Sequence, residues 1–173
     1  MSVFVTGAGD TSARIRYVEY LQSTGMQYID TGVLLTPDLS VSVDYQVLTA
    51  TNDTWFFSAL NVSSMIGMRA GVFNSAFYLT NMKASQPDLT KRTVFTGQAT
   101  QECALSPYLF AENRDGAAYG RNAGRLYSCQ IYVSGALVRD FRPCYDPEGV
   151  ACLYDKVEEK YYYNAGTGDF IAG

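Results

Sequence analysis

The sequence predicts an all-β chain folded as an antiparallel two-sheet sandwich, and three observations lead there. Apolar residues recur with a period of two: Val41, Val43, Tyr45 and Val47 alternate with Ser40, Ser42, Asp44 and Gln46, giving one buried and one wetted face. Turn chemistry punctuates the chain at short intervals, from Thr36-Pro37-Asp38 to Asp146-Pro147-Glu148-Gly149. Composition also favours strands, because Tyr (14) and Phe (9) are plentiful while charged residues make up only 17%. Few windows show helical periodicity. Many short strands at regular spacing are the mark of a sandwich.

Taken in order, residues 1–15 read as a lead-in and 16–173 as one sandwich domain, with strand signals beginning at Arg16. A strand from Met26 closes at Asp30-Thr31-Gly32. Ser40 to Val47 follows, and Trp55 to Leu60 is apolar on both parities, as a strand between layers should be, which places Trp55 in the core. Further strands are expected at Ser64 to Arg69, Val72 to Thr80, Arg92 to Gln98, Tyr108 to Glu112, Arg125 to Val133, Leu137 to Arg142, Val150 to Tyr154 and Tyr161 to Tyr163. Ser134-Gly135 reads as a tight hairpin, Asp115-Gly116 as a turn, and Glu158-Glu159 as the turn of another hairpin. Tyr127, Cys129, Ile131 and Val133 share a parity, so Cys129 is expected in the core. Arg139-Asp140 reads as an ion pair or a backbone tie at a strand end.

Several function classes are disfavoured. A net charge of −4 with no local Lys/Arg cluster opposes nucleic-acid binding, which rests on cationic contacts. No apolar run is long enough to span a bilayer, and the start, MSVFVTGAGD, lacks the charged and apolar regions of a signal peptide. With no histidine, neither a Ser-His-Asp nor a Cys-His arrangement can be built, and Cys/His zinc sites are excluded. Cys103, Cys129, Cys144 and Cys152 read as buried thiols, with a Cys144–Cys152 disulfide as the alternative. The N-terminus holds a Gly7-Ala8-Gly9 loop between a short apolar run and a helix-compatible stretch from Thr11 to Gln22. It lacks the third glycine or alanine at Ser12 and the alternating helices that a dinucleotide-binding sheet needs, so no NAD(P) site is expected.

Two long motifs carry a family resemblance. The first is Tyr17-Val18-Glu19-Tyr20-Leu21-Gln22-Ser23-Thr24-Gly25-Met26-Gln27-Tyr28-Ile29-Asp30-Thr31-Gly32. The second runs RLYSCQIYVSGALVRDFRPCYDPEGV from Arg125, then Leu153-Tyr154-Asp155, and ends at Asn164-Ala165-Gly166-Thr167-Gly168-Asp169-Phe170. Together they resemble the concanavalin A-like and laminin-G-like modules of phage structural proteins and large bacterial surface proteins; Cys152 stands where that family commonly has Gly. The resemblance implies a jelly-roll sandwich of the lectin/glucanase type and a non-enzymatic, lectin-like module that binds a surface glycan or cell-surface receptor. A purely structural, oligomerising virion protein is the alternative it leaves open. It also implies a place in a virion or cell-surface assembly, with other assembly proteins or further copies of the chain as partners. No E-x-D-x-x-E string of the glucanase kind is present, which disfavours glycoside hydrolysis. No cofactor is expected. Calcium is the one cation the resemblance allows, with Asp38, Asp53, Asp146 and Asp169 candidates by residue type alone.

The expected binding stretch is Asn113 to Arg125, a glycine-bearing segment between two strands. It offers Asn113, Asp115, Tyr119, Arg121 and Asn122: a ring to stack on sugar C–H groups, with amide and charged groups to read hydroxyls. Its competing interpretation is a solvated hairpin without a ligand.

Overall fold

The computed structural model describes residues 14–84, 88 and 91–173, and none of these residues is helical. The strands in chain order are β1 (Arg16–Tyr17), β2 (Leu21–Thr24), β3 (Ile29–Asp30), β4 (Leu39–Val47), β5 (Thr54–Asn61), β6 (Ile66–Phe73), β7 (Ala76–Thr80), β8 (Met82–Ala84), β9 (Thr93–Ala99), β10 (Tyr108–Leu109), β11 (Glu112–Arg114), β12 (Ala117–Tyr119), β13 (Ala123–Val133), β14 (Ala136–Tyr145), β15 (Ala151–Asp155), β16 (Lys160–Tyr162) and β17 (Ile171–Ala172). They form two sheets. The ten-stranded sheet runs β16-β15-β14-β13-β4-β9-β8, with β1 on β14 and β2 joining β13 to β17. The seven-stranded sheet is built round β5, which pairs β6 and β10 antiparallel and β11 parallel, and extends to β7, β12 and β3.

The alternation seen in the sequence is what joins the sheets. Leu39, Val41, Val43, Tyr45 and Val47 of β4 all point inward and are buried. Tyr45 stacks on Phe56 of the opposite sheet with ring centroids 4.8 Å apart, and Phe95 meets Phe56 edge-on at 6.0 Å. Phe110 bridges Tyr45 and Phe170. A buried aromatic seam therefore runs between the layers of a two-sheet β-sandwich, its stacked, tilted and edge-on ring pairs adding attraction beyond their buried area.

The structure departs from the sequence reading at several places. The break expected at Ala70-Gly71 is absent, and β6 runs straight through it. Gly71 faces Trp55, where a Cβ would lie 2.2 Å from the Thr54 carbonyl oxygen; the glycine answers to close packing, not to a turn. The turn falls instead at Asn74-Ser75, both in the left-handed region at φ 50° and 60°. Tyr108 to Glu112 is not one strand, because Phe110 adopts φ 65° and splits it into β10 and β11. A bulge between Leu126 and Ser128 of β13 changes parity there, so Leu126 and Cys129 are buried while Tyr127 is only partly so. Arg139 and Asp140 do not form an ion pair with each other, and the expected backbone tie is what the structure has. Arg139 donates to the Thr31 and Val138 carbonyls and also reaches Asp155 and Glu158, while the Asp140 N–H donates to Asp155 and its carboxylate meets Arg142 and Lys156. Residues 1–13, with the Gly7–Gly9 loop and most of the lead-in, lie outside the described residues. Where the helix-compatible stretch continues, the chain forms β1 and β2.

The two motifs of the sequence close on each other. Asn164 Oδ1 accepts from the Tyr28 N–H (3.2 Å), and the Ala165 N–H donates to the Tyr28 carbonyl (2.9 Å). Gln27, 3% exposed, donates from Nε2 to the Thr167 carbonyl, while its Oε1 accepts from Ser23 and Thr24. β17 then pairs with β2. This latch fixes the backbone on either side of Tyr28.

Candidate functional site

Phe57, Met68, Ala70 and Val72 join the core, so the alternate residues Ser58 and Arg69 point to the outward face of the seven-stranded sheet. Register sets Arg69 and Glu112 opposite Ser58, and Tyr119 opposite Glu112. Glu112 is fully buried but well supplied with donors. Arg69 Nε donates to Oε2 at 2.6 Å, Ser58 Oγ donates to the same oxygen at 2.9 Å, and Arg114 Nε donates to Oε1 at 2.6 Å. A carboxylate at zero exposure is tenable only with such pairing. The two arginines are themselves stacked. Arg69 lies 3.8 Å from the centroid of Trp55, and Arg114 lies 3.2 Å from that of Tyr119. The close tie to Glu112 raises the pKa of Arg114 against the opposing effect of burial.

Trp55 is buried, as its strand predicts, but on this outward side, under Arg69 and the edge of Tyr78. Gly120, at φ 53°, passes so close that a Cβ there would lie 2.7 Å from the indole. Beyond Trp55 the face becomes aromatic. Tyr28 and Tyr108 stack with centroids 4.9 Å apart and planes at 27°, and Asp30 sits across from Tyr108. Asp30 is oriented by the Gly32 N–H and the Ser106 hydroxyl. Burial, with the Asp30 charge next, pushes the Tyr108 hydroxyl pKa up and keeps it a donor.

The five residues singled out in the sequence fall into two groups. Tyr119 and Arg121 belong to the outward face. Tyr119 is 39% exposed, and its hydroxyl donates to Asp53 at 2.6 Å. Arg121 bridges in register with Trp55 and lies 5.6 Å from the Tyr28 ring. It makes no hydrogen bond or ion pair among the described residues, although its Nε is buried. The other three hold the scaffold. Asn113 is buried; its amide donates to the Ser106 carbonyl and accepts from the Gly116 N–H, fixing the Asp115-Gly116 turn. Asp115 accepts from the Val62 N–H and ties that turn to the β5–β6 connection. Asn122, at zero exposure, joins the sheets, accepting from the Tyr45 hydroxyl and donating to Thr54 Oγ1 at 2.8 Å. The segment is thus a paired hairpin leading into β13, not an open loop.

Sequence reasoning missed Tyr28, Asp30, Arg69, Tyr108 and Arg114, and offered Asp53 only as a cation ligand by residue type. Only Tyr28 and Asp30 left a signal, flanking the buried Ile29 with period two. Chemically the face presents rings, guanidinium groups and oriented carboxylates, a set suited to a hydroxylated ligand. Among the described residues no group of three or more Cys, Asp or Glu converges as a metal site would require. Comparison with protein-family models, curated proteins and solved structures finds no match for this chain.

Proposed function

We propose that this protein is a non-enzymatic, lectin-like module of the jelly-roll sandwich kind, binding a surface glycan through the outward face of its seven-stranded sheet as part of a virion or cell-surface assembly. One observation carries the reading: Arg121, whose guanidinium has no hydrogen-bond or ion-pair partner among the described residues, stands beside the stacked rings of Tyr28 and Tyr108. Tyrosine faces stack against sugar C–H groups, while a guanidinium with spare N–H groups reads hydroxyls or a carboxylate. Binding without turnover is supported by the state of the nearby acids. Glu112 is held by two arginines, and Asp53 is held by Tyr119 and Arg69, so neither is set opposite a free partner across a cleft.

The test is binding to a glycan panel and to whole cells, with thermal melts of each variant alongside. Tyr119→Ala is expected to weaken binding several-fold, the equivalent of about 1 kcal/mol. Arg121→Gln is expected to cost about tenfold through the loss of charge-assisted hydrogen bonds. Both variants should melt close to the parent. Undiminished glycan affinity in both variants, or no glycan bound by the parent, would overturn the proposal.

A second reading has its own observation. The outward side of the ten-stranded sheet carries a chain of rings, Tyr17, Tyr154, Tyr161 and Tyr163, of which Tyr17 and Tyr163 are 48% and 47% exposed. Such a surface suits a protein neighbour and favours a structural, self-assembling role. Sedimentation of the parent against Tyr17→Ser separates the two readings: assembly through this face predicts a concentration-dependent oligomer that the substitution dissolves.

A further inference from the structure

The tyrosine chain on the ten-stranded sheet covers a pair of thiols. Phe141 and Leu153 belong to the core, so Cys144 and Cys152 have the opposite parity and lie on the outward side of β14 and β15. They face each other directly across the ladder, with sulfurs 3.6 Å apart and neither residue exposed. The Asp146 N–H bonds the Val150 carbonyl, and the Lys156 N–H bonds the Asp140 carbonyl. Antiparallel pairs alternate, so Cys144 and Cys152 also form a hydrogen-bonded pair, with Cα atoms about 5.5 Å apart, inside the range a disulfide spans. Tyr17 pairs with Cys144, and Tyr161 sits opposite Tyr154 on the edge strand β16. β1 and β16 are only two and three residues long, so swinging these side chains outward opens the thiols without disturbing the long ladders.

We infer that Cys144 and Cys152 are a redox modification site, a dithiol that closes reversibly to a cross-strand disulfide while Cys103 and Cys129 remain thiols. Cys129 is buried in the core, and Cys103, expected buried, is only partly so and packs against the core's edge; neither has a thiol opposite it in register. With glutathione disulfide as oxidant, the Cys144 thiolate attacks one glutathione sulfur, breaks its S–S bond and expels one glutathione thiolate. The Cys152 thiolate, having released its proton to solvent, then attacks Cys144 Sγ and expels the second glutathione. The protein loses two protons and two electrons, which glutathione disulfide takes up as it becomes two thiols. Either sulfur can donate in the S–H···S contact, which lowers the Cys144 pKa and, with burial, raises that of Cys152; the same disulfide results whichever thiolate attacks first.

The test incubates the native full chain with glutathione disulfide, alkylates remaining thiols in denaturant, and reads intact mass and peptide map. The expected result is two alkylated cysteines, Cys103 and Cys129, plus one Cys144–Cys152 disulfide that dithiothreitol reverses. The oxidised form should also melt higher by about 5 °C, because a short loop is closed in the unfolded chain. Cys152→Ser should instead trap a glutathione adduct on Cys144. Four alkylated thiols, or disulfides through Cys103 alone, would overturn the inference, and the parent-chain measurement stands whether or not the variant folds.

Discussion

At the scale of single residues, burial and pairing decide what each polar group does. Glu112 sits at zero exposure between Arg69 and Arg114, so Glu112→Ala leaves two guanidinium groups facing each other with no carboxylate between them. Removing one member of such a buried set costs about 3–5 kcal/mol. Trp55→Ala empties a site closed by Arg69, Tyr78 and Gly120 and is expected to cost about the same. Tyr119→Ala, at an exposed rim, should cost about 1 kcal/mol or less. Urea unfolding of the three variants checks the order; a Glu112→Ala protein as stable as the parent would mean the ion cluster contributes nothing net. The burial of Trp55 was legible because its strand is apolar on both parities. The role of Glu112 was not, because a Glu in isolation reads as solvated and its partners arrive from residues 58, 69 and 114. Asn122 misled for the same reason: an amide beside glycines looks like a loop, and it is Tyr45 and Thr54, one from each sheet, that make it a core group.

Elements show where local propensity yields to packing. The alternation of β4 and the Ser134-Gly135 hairpin were both plain in the sequence, and the structure has them, with Ser134 and Gly135 at φ 50° and 79°. Gly71 was misread because a glycine between two strand-like runs carries the same letters whether it turns the chain or admits a neighbour's ring. Substitution distinguishes these cases. Ser75 holds φ 60° in the β6–β7 turn, so Ser75→Gly relieves left-handed strain and should stabilise the protein by about 0.5–1 kcal/mol. Gly71→Ala should destabilise it by about 1–3 kcal/mol or more, since its Cβ meets the Thr54 carbonyl rather than open space. Thermal melts of the two variants should therefore move in opposite directions. A neutral Gly71→Ala would show that β5 and β6 separate easily, at odds with a ladder that runs from Thr54 to Asn61.

Across the whole molecule, distant segments are held by a few carboxylate ties, and these set its response to acid. The end-to-end latch of Gln27 and Asn164 is amide chemistry and indifferent to pH; its two motifs were legible, but their meeting was not, because they lie 136 to 140 residues apart. The acids behave differently. The Ser134 hydroxyl holds the Asp38 carboxyl below its ordinary value, joining the approach to β4 with the β13–β14 turn. At Asp146 burial acts upward but is outweighed by the Val150 N–H and the Tyr163 hydroxyl, which lower it and close the β14–β15 turn. The Tyr162 hydroxyl, and then Arg139, lower Glu158. In each case the folded pKa lies below the unfolded one, so the stability is fully present above the ordinary values of 3.8 and 4.5 and is lost as pH falls through the lowered values. With no histidine in the chain, no side chain of ordinary pKa titrates between about pH 5 and 7. Melting temperature should therefore be level across that interval, within about 2 °C, and fall progressively below about pH 4. Asp146→Asn should melt lower than the parent at pH 6, and the difference should narrow as pH falls through the lowered Asp146 pKa and the parent's carboxylate takes up its proton. A melting temperature that changes between pH 5 and 7, or an Asp146→Asn deficit that does not narrow with falling pH, would show that these three ties do not govern the acid limb.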